Sequence, residues 1–162
     1  MPLVVRPAVV ADAPAIARVH LRAWQEAYAH LVPPGALDDL TEAEPARAER
    51  WAELVADDVT AVRVAERDGE VVGWSSASAG RGEAPPRELE LEGIYVLASE
   101  YGSGAGQALL DATIGDRPAF LWMAADNPRA HAFYTRNGFV ADGERAEHPL
   151  HGHPVVIARF VR

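Results

Sequence analysis

Three glycines at alternate positions, between a predicted strand and a predicted helix, constrain the fold of this sequence more than any other feature. Residues 88–96 alternate apolar and acidic side chains as a β-strand does, and Gly102, Gly104 and Gly106 follow, around the start of a helix predicted over residues 104–114. Glycine permits positive φ and leaves room for a bulky group against the main chain. The backbone N–H groups of such a turn and the positive end of the helix converge, which predicts an anion-binding site.

The spacing around these glycines argues against the better-known glycine motifs. A P-loop needs Gly-Lys followed by Ser or Thr, but Gln107 follows Gly106. The dinucleotide fingerprint G-x-G-x-x-G needs glycine where Gln107 stands, and the chain after Asp126 is too short for further parallel βαβ units. The hydrolase elbow G-x-S-x-G is absent, since residues 73–77 read GWSSA. A nucleotide-binding oxidoreductase therefore stays only as a distant alternative.

Composition excludes further classes of chemistry. The 162 residues include no cysteine, which removes disulfides, thiolate metal sites and a cysteine nucleophile. Acidic residues outnumber basic ones 24 to 15, and the formal charge of −9 opposes binding to nucleic acid while favouring a cationic amine substrate. No apolar stretch approaches the roughly 18 residues that span a bilayer, and the N-terminus lacks a signal-peptide pattern. We expect one cytoplasmic domain spanning residues 1–162, with no membrane partner.

The hydrophobic periodicity changes repeatedly between that of a helix and that of a strand. Asp12 is expected to cap the first helix, Thr41 and Glu44 form a capping box before the second, and Asp68-Gly69 marks a hairpin turn. The alternation of the third long strand slips at Gly93, which predicts a bulge or the close approach of a ligand. Strands are predicted at residues 3–6, 61–67, 70–78, 88–96, 119–124, 139–145 and 154–161, and helices at 12–30, 42–55, 104–114 and 128–137. This order predicts an α+β fold with a largely antiparallel sheet.

A second informative stretch, N-P-R-A-H-A-F-Y-T-R-N-G-F, covers residues 127–139. Asn127 is expected to cap a helix, Pro128 occupies its first turn, and Gly138 supplies a left-handed C-terminal cap. Asn127 and Tyr134 are seven residues apart, so an amide and a phenol share one face of this helix. A ligand could lie along that face.

Together the two stretches resemble the acyl-CoA-binding core of the GNAT superfamily of N-acetyltransferases. The strand ELEGIYV followed by YGSGAG is similar to the family's first motif, with its [Q/R]-x-x-G-x-[G/A] loop, and residues 127–139 match N-x-x-A-x-x-F-Y-x-x-x-G-F. The agreement is firm over residues 90–139. The resemblance implies a single-domain GNAT-like α+β fold, with a mostly antiparallel twisted sheet, flanking helices and a bulge that splays the sheet at the CoA site.

The resemblance also implies how acetyl-CoA is held. The backbone of Ile94 and Val96 would pair with the pantetheine arm, Asn127 would contact the arm, and Tyr134 would face the thioester sulfur. The backbone amides of residues 101–106 would hold the pyrophosphate. Tyr101 departs from the family's Gln or Arg, so a side-chain contact to phosphate is lost there. The cofactor-binding residues expected are Ile94, Tyr95, Val96, Tyr101, Gly102, Ser103, Gly104, Ala105, Gly106, Asn127 and Tyr134, with the Ser103 hydroxyl partly replacing the lost contact.

Direct transfer to an amine requires a base, because an aliphatic amine is protonated at neutral pH. Glu90 and Glu92 lie two apart on the strand that leads to the bulge and point to the same side, and Glu90 is the first choice. Tyr134 is the expected proton donor to the leaving thiolate, and the Val96 N–H would bind the oxyanion. A non-catalytic acyl-CoA-binding module remains an alternative.

The acceptor is expected to be a small-molecule or peptide amine, and a homodimer stays an open alternative. Trp24 and Tyr28 lie on one stripe of the first helix and are expected to line the acceptor pocket. His148, His151 and His153 follow no spacing of a closed metal site, so no metal is expected and a role beside the acceptor pocket is favoured.

Overall fold

A twisted seven-stranded sheet organises the chain in the computed structural model, which describes residues 2–38 and 40–162. The strands lie side by side in the order β1-β2-β3-β4-β5-β7-β6, and all neighbours are antiparallel except β4 and β5. The strands are β1 (Val4–Pro7), β2 (Ala61–Arg67), β3 (Glu70–Ala79), β4 (Leu89–Val96), β5 (Phe120–Ala124), β6 (Val140–Leu150) and β7 (His153–Val161). The helices are α1 (Ala13–Tyr28), α2 (Glu44–Asp57), α3 (Ala105–Thr113) and α4 (Pro128–Arg136).

The predicted α+β fold, its element order and its largely antiparallel sheet are confirmed, with two corrections at helix starts. The expected capping box is wrong, because residues 41–43 form a 3-10 turn and Glu44 is already the first residue of α2. Asp12 does precede α1, but its carboxylate accepts hydrogen bonds from Arg6 and from the Val9 N–H instead of capping α1. None of the helices in the described residues is long and apolar enough to cross a membrane.

Two hydrophobic clusters cover opposite faces of the sheet. Trp74 of β3 packs with α1 and α2, whereas its neighbour Ser75 hydrogen-bonds to Thr113 of α3, as expected for side chains that alternate along a strand. The cluster beneath α1 and α2 contains Ile16, Ala17, Val19, Trp51, Val62, Val64 and Trp74. The cluster beneath α3 and α4 contains Leu91, Leu110, Ile114, Leu121, Tyr134, Phe139 and Phe160. The sheet is therefore buried between two helical layers where the site forms.

The sheet opens between β4 and β5. In the described residues these two strands pair at one position, where Glu90 lies opposite Phe120. The predicted irregularity at Gly93 is confirmed, since Ser76 pairs with Gly93 while the next residue of β3 pairs with Leu91, which leaves Glu92 as an extra residue. The extra residue lies two positions after Glu90, so β4 changes direction just beyond its contact with β5 and the two strands diverge.

Candidate active site

The backbone of β4 beyond the bulge presents free amide groups to the gap. The Leu97 N–H donates to the Val72 carbonyl of β3 at 3.0 Å. Because successive N–H groups of a strand point in opposite directions, the N–H groups of Val96 and Ile94 point towards β5, from which β4 has already separated. This stretch is an unpaired strand edge inside the sheet, and a ligand that carries amide groups can bind there as an added strand would.

The glycine-rich loop lies at the end of this edge. Gly102 and Gly104 have φ of 79° and 90°, and a Cβ at either position would meet nothing within 4 Å. Gly104 directly precedes α3. The N–H groups of Gly102, Gly104 and Gly106 have no acceptor in the described residues, whereas those of Tyr101 and Ser103 donate to carbonyls of the preceding turn. Three free amides at a helix N-terminus form an anion site with open space in front of it.

A buried ion pair fixes the start of this loop. Glu100 is 9 % exposed, and Arg67 of β2 holds both of its carboxylate oxygens at 2.8 Å. The pair joins β2 to the turn that immediately precedes the glycines. The two residues lie 33 positions apart, and no motif or spacing in the sequence indicated their contact.

Tyr101 and Arg129 form the outer side of the loop. The Arg129 guanidinium carbon, in the first turn of α4, lies 3.4 Å from the centroid of the Tyr101 ring. The Tyr101 side chain is uncharged, but its ring contacts the Arg129 guanidinium next to the glycine-rich loop. The Ser103 hydroxyl accepts from the Ala105 N–H at 3.3 Å, so its oxygen is used inside the loop. The positive side chain at this position therefore comes from α4, which sequence reasoning missed.

Tyr134 lies on the inner face of α4 with its phenol free. Its ring packs against Phe133 and Phe139, and in the described residues its hydroxyl makes no hydrogen bond. Burial, with a smaller contribution from Tyr95, raises the pKa of Tyr134 well above its usual value, so the hydroxyl stays protonated. Asn127 caps α4 as predicted, through its side-chain oxygen and the Ala130 N–H at 3.1 Å.

The two candidate glutamates differ in their surroundings. Glu90 is 2 % exposed, and Arg81 binds both of its oxygens with Nε at 2.9 Å and Nη2 at 2.8 Å and adds its backbone N–H at 3.1 Å. Glu92, the extra residue of the bulge, has one buried oxygen that finds no hydrogen-bond partner among the described residues, and its other oxygen lies 3.6 Å from Arg81. Both carboxylate oxygens of Glu90 therefore accept hydrogen bonds from Arg81, while one oxygen of Glu92 can still accept a hydrogen bond.

The α1 side of β4 carries a cluster of rings that we call the aromatic cluster, comprising His20, Trp24, Tyr28, Trp51, Trp74 and Tyr95. Tyr28 and Tyr95 share a hydrogen bond of 3.0 Å between their hydroxyls. Trp51 donates to His20 Nδ1 at 3.3 Å, and burial lowers the pKa of His20 to about 3, with smaller contributions from Arg47 and His151. His20 is thus neutral. Trp24 and Tyr28, the expected acceptor-pocket residues, both belong to this cluster.

The C-terminal histidines surround a hairpin turn. His151 lies in the turn between β6 and β7 with φ of 47°, and its ring centroid is 5.5 Å from that of Trp24. The turn therefore closes over the aromatic cluster. In residues 2–38 and 40–162, no group of three or more His, Asp or Glu side chains is arranged to hold a metal ion.

Comparison with known proteins agrees with this geometry. Residues 21–139 match the model of the acetyltransferase (GNAT) family. An uncharacterized N-acetyltransferase of Mycobacterium tuberculosis is 32 % identical over 140 residues, which cover 83 % of this chain and 86 % of that protein. The PaiA N-acetyltransferase from Thermoplasma acidophilum, solved with coenzyme A, superimposes with a TM-score of 0.73 at 15 % identity and 98 % coverage of both chains. A GNAT superfamily phosphinothricin acetyltransferase from Sinorhizobium meliloti, solved with AcCoA, gives a TM-score of 0.70 at 25 % identity over 100 % of this chain and 88 % of that one. The family model and the relatives agree, and this chain belongs to the GNAT family of acetyltransferases.

Proposed function

We propose that this protein transfers the acetyl group of acetyl-CoA to a primary amine by direct attack on the thioester. The observation that carries the proposal is the edge formed by the N–H groups of Ile94 and Val96, which have no strand partner in the described residues and lead along the chain to the free amides of the glycine loop. Ile94 packs against the same hydrophobic cluster as Tyr134, whose phenol makes no hydrogen bond in those residues. A thioester carrier with amide groups in its arm and a pyrophosphate at its end complements this arrangement. A module that only bound acyl-CoA would have no need of a phenol and a carboxylate oxygen that both lack hydrogen bonds in the described residues.

The cofactor is proposed to follow the edge from the loop inwards. The pyrophosphate would lie on the N–H groups of Gly102, Gly104 and Gly106, with the Arg129 cation, held by Tyr101, beside it. The pantetheine amides would pair with the β4 backbone, and the side-chain N–H₂ group of Asn127 would contact the arm. This arrangement directs the thioester to the bulge, between α4 and the aromatic cluster.

Gly104→Ala is expected to weaken CoA binding by roughly tenfold or more, because a Cβ would enter the space left for the phosphate. Gly69→Ala is the matched control. Gly69 also has a left-handed φ, 81°, and its Cβ would also meet nothing within 4 Å, so both variants carry similar backbone strain. Isothermal titration with CoA checks the difference, and equal losses in the two variants would contradict the placement of the pyrophosphate.

Glu92 is the proposed general base. The amine must lose a proton as its nitrogen bonds to the thioester carbon, and the acceptor of that proton needs a free oxygen near the bulge. The unpartnered oxygen of Glu92 meets this need. Glu90 was the first choice from sequence, but its three hydrogen bonds to Arg81 favour a role in holding the residue 80–88 loop onto β4.

The two glutamate variants are expected to separate catalysis from stability. Glu92→Gln should lower kcat by about 10²-fold or more with the melting temperature nearly unchanged, and its rate should rise with pH as more of the amine becomes free. Glu90→Gln should lower the melting temperature, because it removes the charge that Arg81 binds, and should keep kcat within about threefold. Steady-state kinetics and thermal melts on both variants test this assignment, and the reverse pattern would return the base role to Glu90.

Tyr134 is proposed to hydrogen-bond the leaving sulfur. When the tetrahedral intermediate collapses, the C–S bond breaks and negative charge develops on sulfur. A thiol has a pKa of about 8.5, below that of a phenol, and burial raises the pKa of Tyr134 further. Complete proton transfer is therefore uphill in this environment. The phenol instead stabilises the thiolate through a hydrogen bond that strengthens as the charge grows.

Tyr134→Phe is expected to lower kcat by about 10²-fold with acetyl-CoA affinity nearly unchanged, since the interaction forms in the transition state. The hydroxyl makes no hydrogen bond in the described residues, so its removal leaves the packing of the ring intact. Rates of thiol release and binding titrations measure the two effects. A well-folded variant with wild-type turnover would leave Tyr134 as a packing residue only.

A further inference from the structure

Arg47 of α2 is a half-buried cation without a counter-charge. Its guanidinium carbon lies 4.8 Å from the centroid of the Trp24 ring, and its Nε is buried with no acceptor in the part of the chain that the structure describes. In the described residues no carboxylate pairs with it. By contrast, Arg6, Arg67 and Arg81 are each paired with buried carboxylates. A desolvated, unpaired cation costs free energy that a bound anion would offset.

Other donors around Arg47 lack acceptors in the same way. The indole N–H of Trp74 is buried without a hydrogen-bond partner in the described residues, whereas the indole N–H of Trp24 faces the Tyr95 hydroxyl. Because His20 Nδ1 accepts from Trp51 and the ring is neutral, its proton is on Nε2, which makes no hydrogen bond in the described part of the chain. Three such N–H donors, on Arg47, Trp74 and His20, therefore belong to one small region. The aromatic cluster supplies donors and ring faces and lacks a group to accept from them.

The charges that face this region are uniform in sign. Burial lowers the pKa of Arg47, and it lowers the pKa of His20 and of His151 as well, while Tyr28 and Tyr95 stay protonated because burial raises theirs. Among the described residues, the cluster thus has one cation, neutral rings and no anion at neutral pH. This contrasts with the net charge of −9 of the whole chain, which favours a cationic amine substrate.

We propose that the acceptor amine carries a carboxylate, which binds Arg47 and the neighbouring N–H donors of the aromatic cluster. The substrate class is then an amino acid or a related amine with a carboxylate and an apolar body that contacts the rings. This inference rests on the proposed acetyl transfer to an amine, and it assigns the specificity of that site.

The position of Tyr95 connects Arg47 to the reaction centre. Tyr95 lies on β4 between the two residues proposed to bind pantetheine, and its ring is in the aromatic cluster, 5.1 Å from that of Trp74. Gly93 is needed here, since a Cβ would come within 2.9 Å of the Tyr95 ring. An acceptor with its carboxylate at Arg47 can therefore extend its amine along Tyr95 towards Glu92 and the thioester, beneath the His151 turn.

The test compares matched amines on wild-type and variant enzymes. Phenylalanine is paired with phenethylamine, and leucine with isoamylamine, and kcat/KM is measured by thiol release from acetyl-CoA. The wild type is expected to favour the carboxylate member at least roughly tenfold. Arg47→Met should remove that preference through KM with acetyl-CoA affinity unchanged, and Arg47→Lys should restore part of it. Arg50→Met is the control, because Arg50 is exposed on the same helix and pairs only with Glu53 in the described residues.

Two results would overturn the inference, and they are distinguishable from failure of the transferase assignment. If the wild type acetylates the carboxylate-free amines as well or better, or if Arg47→Met keeps the preference, acetyl transfer stands and the carboxylate site does not. If no amine is acetylated, the site is read directly from thermal shifts with N-acetylphenylalanine. Stabilisation of the wild type and of Arg50→Met, but not of Arg47→Met, supports the carboxylate site, and equal or absent shifts reject it.

Discussion

The contact between β4 and β5 is parallel and one residue pair long, and the position of every proposed functional group depends on where it ends. After Glu90 meets Phe120, the bulge at Glu92 and Gly93 turns β4 away, and its N–H groups lose the strand that would have paired with them. Backbone N–H groups that are shielded from water and lack hydrogen bonds are costly in a folded protein, and Ile94 and Val96 are partly buried. Here that edge is kept free between two helical layers, and a ligand with its own amides can complete it.

Ion pairs hold this open arrangement in place. Arg81 binds Glu90 at the last point where the two strands meet, and Arg67 binds Glu100 where the chain enters the glycine loop. One pair therefore lies at each end of the free edge. Each joins residues from different elements, so the geometry of the edge does not depend on the short strand contact alone. Arg47 differs from Arg67 and Arg81, because it is also partly desolvated but pairs with no carboxylate in the described residues.

The sequence predicted the fold and the family well because these depend on local patterns. The alternation of apolar and polar side chains predicted the strands, and the interruption of that alternation at Gly93 predicted the bulge that the structure contains. The capping box at Thr41 failed because a 3-10 turn precedes α2 there. Two sets of contacts were not predictable in this way: those of Arg81 with the two candidate glutamates, and that of Arg129 with the Tyr101 ring. Both join separate elements of the fold through long side chains. In the sequence, nothing distinguishes Arg81, Arg129 and Arg47 from arginines on a protein surface. Only the tertiary structure shows which side chains contact Arg81 and Arg129, and that Arg47 pairs with no carboxylate in the described residues.

Amide hydrogen exchange in the presence of CoA, followed by NMR, tests the central claim most directly. The claim is that CoA completes the free edge of β4 and the free amides of the glycine loop. CoA is predicted to slow exchange at Ile94, Val96, Gly102, Gly104 and Gly106. Leu97, Tyr101 and Ser103 already donate within the protein, so their exchange should change little and serves as an internal control. Saturating CoA binding that leaves exchange at Ile94, Val96 and the three glycines unchanged would contradict the account.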